Sequence, residues 1–198
     1  MSFIARYPNT ADNIRMALAN DAFYQTMLAS ANNSPQRLNA YLDYSMQEAQ
    51  QYGALVTSEE ANQGAAIWSL PIDTQPGQLK PKAKKDFLLC HMGKNSLTTY
   101  LAISDFMDQQ SADVVNEDDW YLSILGINPN LQGRGLGQEL LTPTLELADQ
   151  QGKTCYLETF TPRNMSFYAR LGFVVKHQAY EPTCRHHYWI MVRQPHSN

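Results

Sequence analysis

Along the first half of the chain, apolar side chains recur at helical spacing in two places and at strand spacing between them. Ile14, Leu18 and Ala22 fall on one face and predict a first helix over Thr10 to Ala22. A longer helix starts at Ser34-Pro35, an N-cap followed by proline at the first helical position, where no N–H is needed. It carries Leu38, Tyr41, Leu42, Ser45, Met46 and Ala49 on one stripe and stops at Gly53. Ala54 to Thr57 and Ala65 to Leu70 are then short and β-prone, and the polar turn Ser58 to Gly64 joins them into a predicted hairpin. Pro71 to Pro81, rich in Pro, Gly and Gln, reads as a loop. Helical spacing returns at Asp86 to Met92 and at Ser96 to Met107, the second with Leu97, Tyr100, Leu101 and Ser104 aligned, and Gln109 to Asp119 is acidic and polar, hence exposed.

The second half opens with an apolar strand, Trp120 to Ile127, that runs through Asn128-Pro129-Asn130 into Gln132-Gly133-Arg134-Gly135-Leu136-Gly137. A helical stripe follows at Leu136, Leu140, Thr144, Leu147 and Ala148 and ends near Gly152. Pro143 inside it removes one hydrogen bond and crowds the carbonyl of Glu139, so a kink is expected, at a cost of about 3 kcal/mol. Thr154 to Phe160 reads as a strand, Asn164 to Leu171 as a short helix closed by Gly172, and Phe173 to Lys176 and Tyr188 to Arg193 as two final strands. This order predicts one domain over residues 1–198 of the α/β class, in three layers, with a mixed central sheet covered by helices on both faces.

A strand that delivers a glycine-rich turn to a helix N-terminus makes an anion cradle, because the first helical N–H groups have no intrahelical acceptor and point the same way. The spacing excludes two familiar phosphate sites. A nucleotide P-loop needs Lys and then Ser or Thr after its last glycine, whereas Gln138 and Glu139 follow Gly137. A dinucleotide fingerprint needs Gly-x-Gly-x-x-Gly, whereas these glycines stand at 133, 135 and 137.

The pair Gln132-x-x-Gly135-x-Gly137 and Asn164-x-x-x-Tyr168-x-x-x-Gly172-Phe173, in that order and flanked by strands, resembles the GNAT superfamily of acyl-CoA-dependent N-acetyltransferases. Trp120-Tyr121-Leu122, Gly126-Ile127, Leu157-Glu158-Thr159 and Pro162-Arg163-Asn164 look most like its puromycin N-acetyltransferase group, which points weakly to a small-molecule amine acceptor. The resemblance implies a three-layer GNAT-like fold with an acetyl-CoA-binding core at about residues 120–176. Gln132, Gly133, Arg134, Gly135, Leu136 and Gly137 would take the CoA pyrophosphate, with Arg134 adding a phosphate contact. Backbone groups of Ser123 to Ile127, notably Leu125, Gly126 and Ile127, would meet the pantetheine and thioester, with the Leu125 N–H toward the oxyanion. Gly126 inside an apolar strand is compatible with a bulge or a close ligand approach.

Asn164 and Tyr168 lie one helical turn apart. By resemblance Asn164 bonds the pantetheine arm and Tyr168 protonates the leaving thiolate; the plainer alternative is a capping Asn and a core Tyr. For the base, Glu158 is a carboxylate in an apolar strand, where burial raises the pKa toward the useful range, or else an acceptor of backbone N–H groups from the next helix. His186, His187, His91 and a water are the other candidates, the histidines reading first as surface residues. The acceptor pocket is expected between the first two helices, the loop after Leu70 and the turn around Glu181 to His187. Two other functions stay open: a CoA-binding sensor without turnover, and an acetyltransferase for protein N-termini or lysines.

Composition narrows the partners. A net charge of -4 argues against a general nucleic-acid surface, and the one basic run, Lys80 to Lys85, reads as a solvated loop or as a local attractor for CoA. Cys90, Cys155 and Cys184 are odd in number and widely spaced, so neither a disulfide framework nor a metal site is encoded, and none falls in a motif, which favours direct transfer over an acetyl-enzyme. No stretch is long and apolar enough for a bilayer, and the chain reads as cytoplasmic, with a homodimer left open.

Overall fold

The computed structural model describes residues 3–58, 63–71 and 75–196, with the backbone alone at 75–78. Within them the helices are α1 (Pro8–Ala17), α2 (Ala22–Ser30), α3 (Pro35–Tyr52), α4 (Gln75–Phe87), α5 (Lys94–Ser111), α6 (Leu136–Gln150) and α7 (Pro162–Arg170). A π-helical turn, Leu88–Met92, links α4 to α5. The strands are β1 (Gly53–Thr57), β2 (Gly64–Ser69), β3 (Trp120–Ile127), β4 (Cys155–Thr159), β5 (Val174–Glu181) and β6 (His186–Arg193). They form one six-stranded sheet in the order β1-β2-β3-β4-β6-β5. Every pairing is antiparallel except β3 with β4, so the sheet is mixed as expected.

Helix α3 follows its sequence signals closely: Ser34 Oγ accepts the Arg37 N–H, Pro35 opens the helix, and all six residues of the expected stripe are buried. Three expectations need correction. The first helix ends at Ala17, and a separate α2 starts at Ala22, capped by Asp21, whose carboxylate accepts the Phe23 N–H. The stretch expected to be a loop from Pro71 to Pro81 enters α4 at Gln75, with Pro81 inside the helix; residues 72–74 of that stretch, and 59–62 of the hairpin turn, lie outside the described residues. The last two strands are longer than their apolar stretches and pair along nearly their whole length. Pro143 sits inside α6 without ending it.

Two layers of helix sandwich the sheet. On one face Ile14 of α1, Met27 of α2, Leu42 and Met46 of α3 and Leu88 pack on Ile67 and Ile124. On the other, Leu140, Leu141 and Leu145 of α6 and Tyr168 of α7 pack on Trp68, Trp120, Leu122 and Leu157. Ile103 of α5 is fully buried, and Phe106 and Met107 of that helix cover Tyr188 and Ile190 of β6.

Two irregularities in β3 position everything that follows. Its register with β2 slips after Ile67↔Ile124, so that Trp68 pairs with Leu122 and Ser123 is the extra residue, its Oγ donating to the Ile67 carbonyl at 3.0 Å. A bulge turns the alternation over. Before it Trp120 and Leu122 face α6; after it Leu125 and Ile127 do, while Ile124 and Gly126 face α1. The expectation of a bulge at Gly126 is thereby corrected: a Cβ there would stand 2.8 Å from Ile14 Cγ2, so the glycine is required by the approach of α1. In addition β3 pairs with β4 only at Trp120↔Cys155, Tyr121↔Tyr156 and Leu122↔Leu157. Beyond Leu122 the two parallel strands part. The edge of residues 123–127 that faces β4 is left without a strand partner.

Candidate active site

The strand parting opens on two clefts. The first, of about 410 Å³, lies over the N-terminus of α6 and is bordered by Leu125, Ile127, Gln132, Asn164 and Tyr168 and by the glycine turn. Gly133 and Gly135 adopt φ of +79° and +89°, a region costly for other residues, and a Cβ at either would meet nothing within 4 Å, since both point into open space. Gly137, within the first turn of α6, is needed for packing instead: its Cβ would stand 3.1 Å from Phe167 Cζ. Gly135 is the N-cap and supplies no side chain, so the N–H groups of the first turn of α6 remain free to face a ligand. Gln132 Nε2 donates to the Ile127 carbonyl at 3.2 Å and ties the turn to the end of β3. Arg134 is exposed and is not among the residues bordering the cleft.

On α7 the cap is Thr161, not Asn164. Asn164 and Tyr168 both line this cleft, which sets aside the capping role. Tyr168 is buried between Phe167 and Phe173, and that burial holds its phenol above the ordinary tyrosine pKa, helped by the nearby Asp21 carboxylate. Asp21 itself bridges two helix starts: Oδ1 accepts the Phe23 N–H at 3.0 Å and Oδ2 accepts the Thr161 hydroxyl at 3.1 Å. It therefore fixes α2 against α7.

The second cleft, about 550 Å³, lies on the other side of the same β3 stretch, where Ser123 and Ile124 border it. Its walls are rings, Tyr24, Tyr41, Tyr100, Tyr121, Tyr156 and Phe160, brought by α2, α3, α5, β3 and β4. Glu158 opens into it. Removal from water raises the Glu158 carboxyl to about 7, against a smaller opposing pull from the Tyr121 hydroxyl, with the Asp108 carboxylate adding to the rise. Glu158 Oε1 is buried with no hydrogen-bond partner; α7 has no side-chain cap, and the N–H of its N-cap residue Thr161 goes to Thr159 Oγ1 and not to Glu158.

The histidines do not enter either cleft. His186 and His187 are exposed on β6, with His187 against Tyr180, and His91 stacks on Phe87. The turn around Glu181 to His187, expected in the acceptor wall, is not among the residues lining the second cleft. The basic run is only partly a solvated surface: Lys84 is a nearly buried ion pair with Glu48 at 3.0 Å, and Lys80 Nζ donates to Ser69 Oγ at 2.7 Å. Sequence reasoning gave Tyr24, Tyr121 and Tyr156 no part in a site and placed Lys80 only in the basic run; nothing local in the sequence marks the three tyrosines, which are brought together by α2, β3 and β4.

Among the described residues no group of three or more His, Cys, Asp or Glu could hold a metal ion, and no helix is long and apolar enough to cross a membrane. The model of the acetyltransferase (GNAT) family matches residues 83–173, which include the glycine turn, Asn164 and Tyr168. An uncharacterized N-acetyltransferase of Schizosaccharomyces pombe is 32% identical over 94 residues, 45% of this chain and 38% of that relative, so the match spans well under half of the relative's length. Among solved structures, a histone acetyltransferase HPA2 and related acetyltransferase from Corynebacterium glutamicum superposes with a TM-score of 0.62 at 20% identity, over 98% of this chain and 96% of that one. Arylalkylamine N-acetyltransferase 2 from Aedes aegypti gives 0.58 at 15% identity, over 98% and 99%. At such identities the likeness is one of fold. The segment from residue 83 to residue 173, which carries both motifs and the strand parting between them, is thus similar to the acetyltransferase (GNAT) family, and the chain as a whole has a GNAT-like α/β fold.

Proposed function

We propose that this chain transfers an acetyl group from acetyl-CoA directly to a primary amine of a small molecule. The observation that carries the reading is the parting of β3 from β4: one freed strand edge borders both the cleft over the α6 N-terminus and the cleft that holds Glu158. The first cleft fits a phosphate-bearing donor, because its glycines have positive φ and present no side chain to the ligand. N–H groups of Leu136, Gly137 and Gln138 would hold the pyrophosphate with the helix dipole behind them, and the exposed Arg134 in the same turn would add a phosphate contact. Asn164 and the backbone of Leu125, Gly126 and Ile127 would hold the pantetheine arm, and the Leu125 N–H is our choice of oxyanion donor.

Glu158 is the base in this reading. With its carboxyl at about 7 it is substantially ionised at neutral pH, yet basic enough to take a proton from an acceptor ammonium, directly or through a water. Tyr168 keeps its proton throughout the working range and can pass it to the sulfur as the C–S bond breaks. Burial pushes the Cys155 and Cys184 thiols up to about 12, which keeps them protonated and supports transfer without an acetyl-enzyme. The ring-walled acceptor cleft, of about 550 Å³, supports a small molecule over a protein chain, as does the resemblance to the puromycin N-acetyltransferase group. The test is free-thiol release from acetyl-CoA across an amine panel. Turnover with at least one small amine is the expected result; saturable acetyl-CoA binding with no turnover on any amine or peptide would make the chain a CoA-binding protein instead.

A further inference from the structure

The cleft that holds Glu158 has two walls of opposite charge. Glu158 on β4, with Asp105 and Asp108 on α5, makes one end acidic; Lys80, Lys84 and Lys85 on α4 make the other basic. Lys84 is already matched, since its ammonium sits 3.0 Å from Glu48 Oε2 and lies over the rings of Tyr41 and Tyr44. Lys80 is not. Its Nζ has the Ser69 hydroxyl at 2.7 Å, and no carboxylate among the described residues stands within ion-pairing distance of it. One hydroxyl satisfies one of three ammonium donors. Burial accordingly holds the Lys80 pKa below the ordinary lysine value, with the neighbouring Lys84 charge adding to that and Glu48 opposing it.

A second polar atom at this end is also unmatched: Glu48 Oε1 is buried without a partner, on a side chain that is only 10% exposed. A hydrocarbon tail pushed in here would strand both groups. A second ammonium would meet like charge, because Glu48 and Lys84 cancel and Lys80 is left over. The separation of the two ends follows from the sheet. Ser69 pairs with Tyr121, Tyr121 pairs with Tyr156, and Glu158 is two residues beyond Tyr156, so Ser69, where the Lys80 ammonium is held, and Glu158 stand two strand spacings apart across the sheet and two residues apart along it, about 12 Å in all.

Building on the acetyl-transfer reading above, we infer that the acceptor is an amine bearing a carboxylate or similar anion at the far end of its body. The amine lies at Glu158, the anion at Lys80, and the body between them lies against the tyrosine rings. Plain arylalkylamines and diamines are then poorer acceptors.

Three acceptors of equal length separate these classes: 8-aminooctanoate, octylamine and 1,8-diaminooctane. With acetyl-CoA saturating, kcat/KM for 8-aminooctanoate is expected to exceed that for the other two by about tenfold or more, the discrimination typical of a charge partner in a partly desolvated site. In Lys80→Met that preference should collapse toward unity, through KM for the amino acid, and in Lys80→Arg it should persist. Because the readout is a ratio within one protein, a general loss of activity or stability cancels. Equal or better use of octylamine or the diamine, or a preference that survives Lys80→Met, would overturn the inference while leaving acetyl transfer intact. No thiol release with any amine would remove the acetyl-transfer reading and this inference together.

Discussion

Two demands meet in the carboxyl of Glu158. As a base it needs a pKa near neutrality, and the same burial that provides this makes its ionised form costly to the fold. The sign follows from linkage: the folded carboxyl titrates near 7, above the ordinary value of 4.5, so stability is lost as pH rises through that interval. Glu158→Gln should therefore be more stable than the parent above pH 7 and similar to it near pH 4, read as the difference in Tm across pH. The same variant should lose the alkaline-rising limb of kcat/KM. A Glu158→Gln protein that is destabilised at every pH with a normal pH profile would show that the carboxylate is structural. For Tyr168, replacement by Phe keeps the ring between Phe167 and Phe173 and deletes only the hydroxyl. Acetyl-CoA affinity should be preserved while kcat falls about 100-fold, where chemistry limits turnover. An unchanged kcat would assign the thiolate proton to another donor.

At the level of elements, the cleft over the α6 N-terminus, where the proposed function seats acetyl-CoA, depends on the turn between β3 and α6. Gly135 combines a φ of +89° with an N-cap position that faces open space, so a side chain there meets the ligand and not the protein. Acetyl-CoA should raise the Tm of the parent, since a ligand that binds only the folded state adds RT ln(1 + [L]/Kd) to its stability. Gly135→Asp places a carboxylate where phosphate belongs and should abolish that shift, at a strain cost of about 1–2 kcal/mol for the left-handed backbone. If a folded Gly135→Asp protein still binds acetyl-CoA saturably, the cradle lies elsewhere.

Across the whole molecule, one ion pair ties together the end of α6, the turn after α7 and the last strand. Arg193 holds Asp149 through two bonds of 2.7 Å and donates its Nε to the Leu171 carbonyl at 2.9 Å, while Asp149 also accepts the His196 N–H. The Arg193 guanidinium beside Asp149 holds the carboxyl down to about 2, from an ordinary value of 3.8. A depressed carboxylate stabilises the fold fully above its unfolded pKa, and that contribution is lost as pH falls from about 4 toward 2. Arg193→Met should cost about 3 kcal/mol at neutral pH, because it leaves Asp149 without its partner, and should flatten the acid limb of a Tm-against-pH curve. A variant with the parent's acid limb would show that the pair is not what acid breaks.

What could be read from the chain alone was local. The stripe of α3, its Ser34-Pro35 start, the hairpin, and the glycine turn with Asn164 and Tyr168 all depend on residues within a few positions of one another, and the cleft over the α6 N-terminus is built from such pieces. Three things were decided by tertiary structure. Helix α4 forms in a sequence of Pro, Gly and Lys, with the Lys84–Glu48 pair and the Lys80–Ser69 bond anchoring it to α3 and β2. The bulge at Ser123 arises from the register with β2, and it alone decides that Leu125 rather than Gly126 faces the cleft over the α6 N-terminus. Glu158 owes its raised pKa to burial beneath other elements and to the Asp108 carboxylate of α5, so an apolar strand could only hint at it and the tertiary surroundings produce it. Backbone preferences and capping act over a single turn and are written in adjacent residues, whereas register, burial and electrostatics depend on which distant segments the fold brings alongside.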